Sequence, residues 1–533
     1  MQANATYKNW SLLTDNNGYC WLTIDRKDSS ANTLGKEVLE EFDHILNTIQ
    51  TLAPKGLVIK SGKSSGFIAG ADISEFMHFA TAEEAASNVR KVQLMYDKLS
   101  ALPYPTVAMI NGFCLGGGFE LALACKYRVA EDNPKTRIGL PEILLGVQPG
   151  WGGSIRLPRL IGSLKALELI LAGKTVDART AYKLGMVDAS VPDRHVHAAV
   201  EYYLSGKAPV RHCGLLEKFL QLAFVRPWIG KFFAYQVAKK INRKDYPAPY
   251  SVIDAWVRNS IYNPEAFPAE ANAIGKLMVS DTARNLVRIF FLRDRLKAQS
   301  KEVKFTPKHV HVIGAGVMGG DIAAWCAANG FTVTVQDQSL PAISATLGRA
   351  QKLFSKKYKL PFLINAAKDR LIPDTTGLGI ANADVIIEAI IENVQAKQEL
   401  FASLEAKAKP TAILASNTST IPLATIGKNL KNPQRVVGIH FFNPVPLMQL
   451  VEVVSDATTD PQVVSSAMAF VSKIDKLPLP VKSSPGFLVN RVLMPYLMEC
   501  VQLLDEGYST EIIDEAALQF GMFMGPVELA DTV

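Results

Sequence analysis

The stretch Lys308-His309-Val310-His311-Val312-Ile313-Gly314-Ala315-Gly316-Val317-Met318-Gly319 leaves this chain few folds to choose from. A β-branched run feeds directly into three closely spaced glycines. A helical segment over 320–328 follows, Gly330 stops it, and Thr332-Val333-Thr334-Val335 opens a second strand ending at Asp337. Strand, helix and strand joined this tightly form a βαβ unit with parallel strands. The glycines permit a tight turn, close approach of backbone to a pyrophosphate and close strand–helix packing, with the phosphates on the helix N-terminus. Asp337 lies about twenty positions beyond the glycines, where an acid accepts from a ribose 2′-hydroxyl and repels a 2′-phosphate. The stretch predicts a dinucleotide site containing Gly314, Gly316, Met318, Gly319 and Asp337, with NAD preferred over NADP.

One such sheet does not use up the chain. At about 150 residues per domain, 533 residues make three or four domains. A composition of 48% hydrophobic and 20% charged residues, without low-complexity tracts, is that of a soluble globular protein. The net charge of +7 is spread along the sequence, which suits anionic small molecules and argues against nucleic acid. Six cysteines without a Cys-x-x-Cys pair speak against a disulfide framework or a metal site, and for a reducing, cytoplasmic setting. Residues 1–23 hold one lysine, no arginine and no apolar core, so neither a secretory nor a transit peptide is visible. The longest uncharged stretch, 99–119, contains Pro103, Pro105 and four glycines, and reads as a buried strand with loops, not an integral membrane segment.

The first two hundred residues alternate β-branched runs (19–25, 56–60, 106–110) with helical ones (35–46, 82–99), an α/β pattern. Residues 215–241 turn helical and aromatic, with Phe219, Phe224, Trp228, Phe232, Phe233 and Tyr235. A basic amphipathic helix is expected over 283–301, and Phe305-Thr306-Pro307 punctuates the chain before the βαβ unit. After Ser484-Pro485-Gly486 the pattern is helical to Val533. These shifts divide the chain into 1–200, a helical extension and linker 201–306, a dinucleotide-binding block 307–483 and a helical part 484–533. A final domain of only about fifty residues rarely supports itself, so the sequence reads as a shortened version of something longer.

A second chemical signature lies in the first block. Phe67-Ile68-Ala69-Gly70-Ala71-Asp72 is followed by Gly116-Gly117-Gly118-Phe119-Glu120 and by Leu140-Pro141-Glu142. A helix starting near Gly117 leaves its first amides unsatisfied and aims its positive end outward. Amides of Ala71 and Gly117 would clamp a carbonyl oxygen on which charge develops; removing one such donor costs about 3 kcal/mol of transition-state stabilisation. Glu120, one turn into the helix, and Glu142, on a loop, would hold a water between them, one taking its proton and the other protonating substrate carbon. An α-proton is acidic only beside a carbonyl, so the substrate is an acyl compound and a thioester suits best. Taken singly, a glycine triplet also serves tight packing and a Pro-Glu pair also makes a turn; their co-occurrence favours the chemical reading.

These residues, with Asn111-Gly112-Phe113-Cys114-Leu115, Gln148-Pro149-Gly150-Trp151-Gly152-Gly153 and Arg156-Leu157-Pro158-Arg159, resemble the crotonase (enoyl-CoA hydratase/isomerase) superfamily over residues 19–191. The resemblance implies a spiral of ββα turns, CoA thioester binding, an oxyanion hole from Ala71 and Gly117, and Glu120 and Glu142 as the hydratase pair. Both acids are present, which favours hydration; one suffices for Δ3-to-Δ2 isomerisation, so that activity can coexist.

In the second block His440 ends Arg435-Val436-Val437-Gly438-Ile439 and precedes Phe441-Phe442-Asn443-Pro444, while Glu452 sits inside the apolar run Leu450-Val451-Glu452-Val453-Val454. A charge there needs a partner. A histidine oriented by that carboxylate makes a general base for a hydroxyl proton, although a core histidine beside an edge-strand glutamate fits these residues equally. Together with Ile386-Ile387-Glu388-Ala389, Ala415-Ser416-Asn417-Thr418-Ser419 and Pro485-Gly486-Phe487-Leu488-Val489-Asn490-Arg491, the block resembles the 3-hydroxyacyl-CoA dehydrogenase family. That resemblance implies His440 as base with Glu452 as its partner, Ser419 and Asn490 against the hydroxyacyl group, Asn443 supporting the site, and Glu392 and Lys397 flanking NAD.

The fusion of the two is similar to the α-subunit family of fatty-acid oxidation complexes, which implies acyl-CoA substrates, two consecutive β-oxidation steps and a thiolase β subunit as partner. The alternative is an acyl-CoA-binding scaffold for a thiolase that retains only hydratase/isomerase activity. The aromatic segment 215–240 admits packing between domains, which is the expectation, a peripheral membrane contact, or an acyl path.

Overall fold

The computed structural model describes residues 2–27, 29–300 and 302–532. The chain divides into two compact units, Met1–Phe290 and Phe291–Val533.

In the first unit, strands β1 (Gln2–Thr6), β2 (Trp10–Thr14), β3 (Tyr19–Ile24), β4 (Gly56–Ser61), β6 (Thr106–Ile110), β8 (Tyr127–Glu131) and β11 (Ala189–Val191) lie in that order in one sheet. A smaller sheet has the order β10 (Thr175–Val176), β9 (Arg137–Gly139), β7 (Phe113–Leu115), β5 (Gly66–Ile68). Successive strands therefore step from the large sheet to the small one, β4 to β5, β6 to β7 and β8 to β9, and a helix leads from one step to the next. This is the expected ββα spiral. Pairing is parallel from β3 through β11 and across β5, β7 and β9, so equivalent corners of successive turns stack. The strands read at 19–25, 56–60 and 106–110 correspond to β3, β4 and β6. The helix Lys36–Leu52 buries Val38, Leu39, Phe42, Ile45, Leu46 and Ile49, an apolar stripe at three- and four-residue spacing that seats it on the core.

The aromatic segment is helical, as two helices, Leu215–Leu220 and Arg226–Ala238. Pro227, favoured in a first turn and excluded from a helix interior, starts the second. Gly230 packs under Val257 of the helix Ala248–Arg258, while Phe224, Trp228, Phe232 and Tyr235 stand exposed. The basic helix runs Asp281–Ala298, ending before the expected 301; Lys301 itself lies outside the described residues. The division between the units falls within this helix.

The second unit carries an eight-stranded sheet in the order β14 (Leu371–Asp374), β13 (Thr332–Gln336), β12 (His309–Ile313), β15 (Val385–Glu388), β16 (Ile413–Ser416), β17 (Val436–Phe441), β18 (Leu450–Ser455), β19 (Leu477–Lys482). From β14 to β17 all pairs are parallel, and β18 then pairs antiparallel with β17. The strand order reverses direction at β12, with β13 on one side and β15 on the other, so a crevice opens at the carboxyl ends of β12 and β15. The helices Val489–Asp505, Thr510–Phe520 and Pro526–Thr532 follow. Among the described residues no helix is long and apolar enough to cross a membrane.

Candidate active sites

The stacked corners of the spiral build the first site. After β5 the chain turns at Gly70, and after β7 it turns at Gly116, whose φ of 51° lies in the left-handed region that favours glycine. Ala71 makes a lone parallel bridge with Leu34 in which Gly70 O and Asp72 N do the bonding, Leu34 N to Gly70 O at 2.9 Å and Asp72 N to Leu34 O at 3.1 Å. That arrangement turns the Ala71 N–H to the opposite side. Gly117 is the first residue of the helix Gly117–Ala124, so its N–H has no partner within the helix. Tyr96 donates to the Gly117 carbonyl at 3.0 Å and fixes that peptide's orientation. A Cβ on Gly117 would lie 2.1 Å from the Trp151 ring. Neither the Ala71 nor the Gly117 N–H donates to another backbone group among the described residues.

Glu120 is buried in the first turn of that helix. Its Oε1 accepts from Trp151 N at 2.8 Å and from Gly153 N at 2.7 Å. Glu142 arrives from β9: Gly116 N donates to Gly139 O at 3.0 Å, and the short turn Glu142–Leu145 then carries the carboxylate back over Gly116, where a Cβ would lie 3.2 Å from Glu142 Oε1. Both Glu142 oxygens are buried, and no other described residue donates to them. Burial above all, with the charge of Glu270 adding to it, pushes Glu142 up to about 8. Burial also pushes Glu120 upward, as do the charges of Glu142 and Glu270, against the pull of its two amides. Burial and the charge of neighbouring carboxylates thus favour the protonated form of each. The Trp151 and Gly153 amides favour the anion of Glu120, and only its own backbone N–H does so for Glu142.

In the second unit Gly314 has φ of 101°, and a Cβ there would meet Ala389 O at 2.4 Å, at the end of β15. A Cβ on Gly319 would sit 1.9 Å from Gly314 O, whereas one on Gly316 would meet nothing within 4 Å. Gly314 and Gly319 therefore close the strand–turn–helix corner, and Gly316 leaves open backbone at the N-terminus of the helix Val317–Ala328, which has no side-chain cap. Free amides beside an open face at the switch point fit a pyrophosphate. Asp337 stands at the end of β13 and its Oδ2 accepts from Ala315 N at 2.7 Å, which brings the acid to the glycine turn. Met318 is half-buried and packs on the core of this unit. Gly319→Ala is expected to strain this corner by about 1–3 kcal/mol and to raise KM for NAD about tenfold or more, with hydration by the other unit unchanged. NAD titration followed by both assays reads it.

His440, at the end of β17, faces Glu452 across the antiparallel pair, Nδ1 to Oε2 at 2.8 Å. The other Glu452 oxygen accepts Leu488 N and Val489 N, each at 2.9 Å, at the start of the helix Val489–Asp505. Burial opposes ionisation of Glu452, but the bonds from His440, Val489 and Leu488 hold it below the ordinary carboxylate value. One ring nitrogen of His440 is thus held by a carboxylate that is itself anchored to a helix start, which fixes the orientation of the imidazole. Asn490 lies in the first turn of that helix. Ser419 N donates to Glu392 at 2.8 Å, and Thr418 Oγ1 does likewise at 2.8 Å. Lys397, 1% exposed, is held by Glu388 at 2.6 Å and Glu392 at 3.2 Å, so it fixes Glu392 from beneath. Asn443 is exposed and makes no side-chain hydrogen bond among the described residues.

Sequence reasoning passed over Glu388, Asn417 and Glu270. Glu388 is buried in β15 and also accepts from Ser416 Oγ at 2.6 Å; an acid in the apolar run Ile386-Ile387-Glu388 carried the same signal as Glu452. Asn417 Oδ1 accepts from Phe441 N at 2.9 Å and so steadies the backbone beside His440. Among the described residues no cluster of three metal-ligating side chains occurs.

The profile for enoyl-CoA hydratase/isomerase matches residues 14–205, that for the 3-hydroxyacyl-CoA dehydrogenase NAD-binding domain 309–484, and that for the 3-hydroxyacyl-CoA dehydrogenase C-terminal domain 486–533. A fatty acid oxidation complex subunit alpha of Shewanella loihica is 38% identical over 99% of this chain and 76% of its own length. One of Vibrio campbellii is 37% identical with the same coverage. A solved (S)-3-hydroxybutyryl-CoA dehydrogenase of Ralstonia eutropha is 33% identical over 43% of this chain and 82% of its own, with a TM-score of 0.41. The chain belongs to the family of fatty-acid oxidation complex α subunits. It is a bifunctional β-oxidation enzyme, an enoyl-CoA hydratase joined to an NAD-dependent 3-hydroxyacyl-CoA dehydrogenase.

Proposed function

We propose that Glu120 and Glu142 add water to trans-2-enoyl-CoA and that His440, oriented by Glu452, takes the hydroxyl proton when the product is oxidised. The observation that carries the first half is the unequal setting of the two buried carboxylates: one accepts two amides of the 151–153 turn, and the other accepts from no other residue among those described. Glu120, as the anion, removes a proton from water while the water oxygen bonds to C3. The C2–C3 π electrons move toward the thioester carbonyl, whose oxygen is held by the Ala71 and Gly117 amides. Glu142 delivers its proton to C2, and a proton passing from Glu120 to Glu142 restores the pair. One carboxylate that moves a proton between C2 and C4 suffices to isomerise 3-enoyl-CoA, and the same site supports that activity.

In the second unit the glycine turn and Asp337 would hold NAD, with Glu392 and Lys397 flanking it. When bound, NAD accepts the hydride from C3. His440 Nε2 takes the hydroxyl proton as the 3-keto group forms, and Glu452 stabilises the resulting imidazolium. Ser419, Asn490 and Asn443 would position the hydroxyacyl group. The functional blocks are 1–200, the extension 201–306, 307–483 and 484–533. The 3-ketoacyl-CoA product requires thiolytic cleavage, and relatives carry the name of one subunit of a complex, which supports a thiolase β subunit as partner. Six free cysteines support a reducing, cytoplasmic setting.

Loss of absorbance at the enoyl band without NAD tests hydration, and its pH profile tests the roles. Glu142 acts as the acid, so kcat/KM for hydration is expected to fall as pH rises through about 8. A profile flat well beyond that pH counts against Glu142 as proton donor.

A further inference from the structure

The first site contains a third buried carboxylate that the reaction above does not use. Glu270 lies on the helix Ala266–Met278, outside the segment 14–205 that matches the hydratase profile, and is 1% exposed. Its Oε2 accepts from Gly152 N at 2.7 Å and Gln93 Nε2 at 2.9 Å. Its Oε1 accepts from Ser154 N at 3.1 Å and from Ser154 Oγ. Gln93 also donates to Gly150 O at 2.8 Å, tying the start of the same turn.

Four successive amides are thus dealt alternately to two carboxylates, Trp151 and Gly153 to Glu120, Gly152 and Ser154 to Glu270. The turn opens the helix Gly153–Ile161, whose N-terminal amides favour anions. The helix bearing Glu270 is docked without slack: a Cβ on Gly275 would lie 2.4 Å from Ala82 O, and one on Gly150 would lie 2.6 Å from Ile274 Cδ1. A simple tether for the turn needs no charge, and a buried one is costly to keep.

Resting on the hydratase reading, we propose that Glu270 is a positioning residue for hydration: it fixes the 151–154 turn that holds Glu120. The helical extension is then part of the hydratase site and not merely a connection. Arg156, on the helix Gly153–Ile161, faces Glu270 and is paired with Asp97 at 2.6 Å. Arg90 bonds Gln93 at 3.0 Å, and Glu120 and Glu142 complete the charged surroundings. From the helix Ala248–Arg258 and the residue after it, the uncharged Val252, Ala255, Trp256 and Asn259 line the remaining side. Burial pushes Glu270 up to about 7 against its donors and Arg156, so it is partly ionised near neutrality, and its charge is felt at both Glu120 and Glu142.

The test is hydration by Glu270→Gln across pH. The substitution removes a charge that raises Glu142, so the alkaline limb of kcat/KM is expected to move down by about one pH unit. It also sets an amide NH₂ against N–H donors, which displaces the turn and lowers kcat about 10²-fold with KM for the enoyl-CoA little changed. A limb and kcat at parental values overturn the proposal, as does a change confined to thermal stability. Should Glu270→Gln fail to fold, Ser154→Ala removes one donor and keeps the carboxylate. Its kcat is expected to fall with KM unchanged, and a parental kcat overturns the proposal. Hydration by the parental chain and its loss in Glu142→Gln test the underlying reading separately.

Discussion

Glu142→Gln abolishes hydration, lowering its rate by about 10²–10⁴-fold, while NADH formation from 3-hydroxyacyl-CoA continues at the parental rate. Glutamine fills the same space, so the spiral and the glycine corner beneath it are kept. What is lost is a proton acidic enough to reach C2. The Glu142 oxygens accept from no other residue among those described, so the substitution breaks no contact between residues there. Glu120→Gln acts in the same direction by a different route. Its carbonyl oxygen still accepts from Trp151 N and Gly153 N, but the second position becomes an NH₂ that cannot take a proton from water. Spectrophotometric hydration assays, with the dehydrogenase rate as internal reference, measure both variants.

His440→Ala stops NADH formation from 3-hydroxyacyl-CoA, by about 10²–10⁴-fold, and leaves hydration intact. Glu452→Gln should approach it in effect although it touches no substrate. Its carbonyl oxygen can keep the Leu488 and Val489 amides, but the NH₂ then faces His440 Nδ1. That forces Nδ1 to accept and puts the ring proton on Nε2, the wrong tautomer for a base. A Glu452→Gln variant with parental kcat for 3-hydroxyacyl-CoA would remove Glu452 from the mechanism.

Much of this was legible in the residues. The strand at 309–313, the glycine turn and Asp337 follow from local backbone needs, because φ at Gly314 and the contact of Gly319 with Gly314 O are set within one βαβ unit. Glu120 and Glu142 were legible as types at suggestive spacing, but their difference was not. That difference comes from Trp151 and Gly153, amides on a turn that backbone periodicity does not bring to the helix Gly117–Ala124. Glu270 lay out of reach for a stronger reason: it is distant in sequence from every group it touches, and only the docking of a whole helix carries it there. The helical pattern read over 215–241 is present, as two helices, and Pro227 is the local signal for the start of the second.

The most direct measurement is a two-by-two assay. Glu142→Gln and His440→Ala are each given trans-2-enoyl-CoA alone and 3-hydroxyacyl-CoA with NAD, and the enoyl band and NADH are followed. Two separate sites predict complementary losses: the first variant fails only on the enoyl substrate, the second only on the hydroxyacyl substrate. Joint loss of both activities in either folded variant would contradict the assignment of one reaction to each unit.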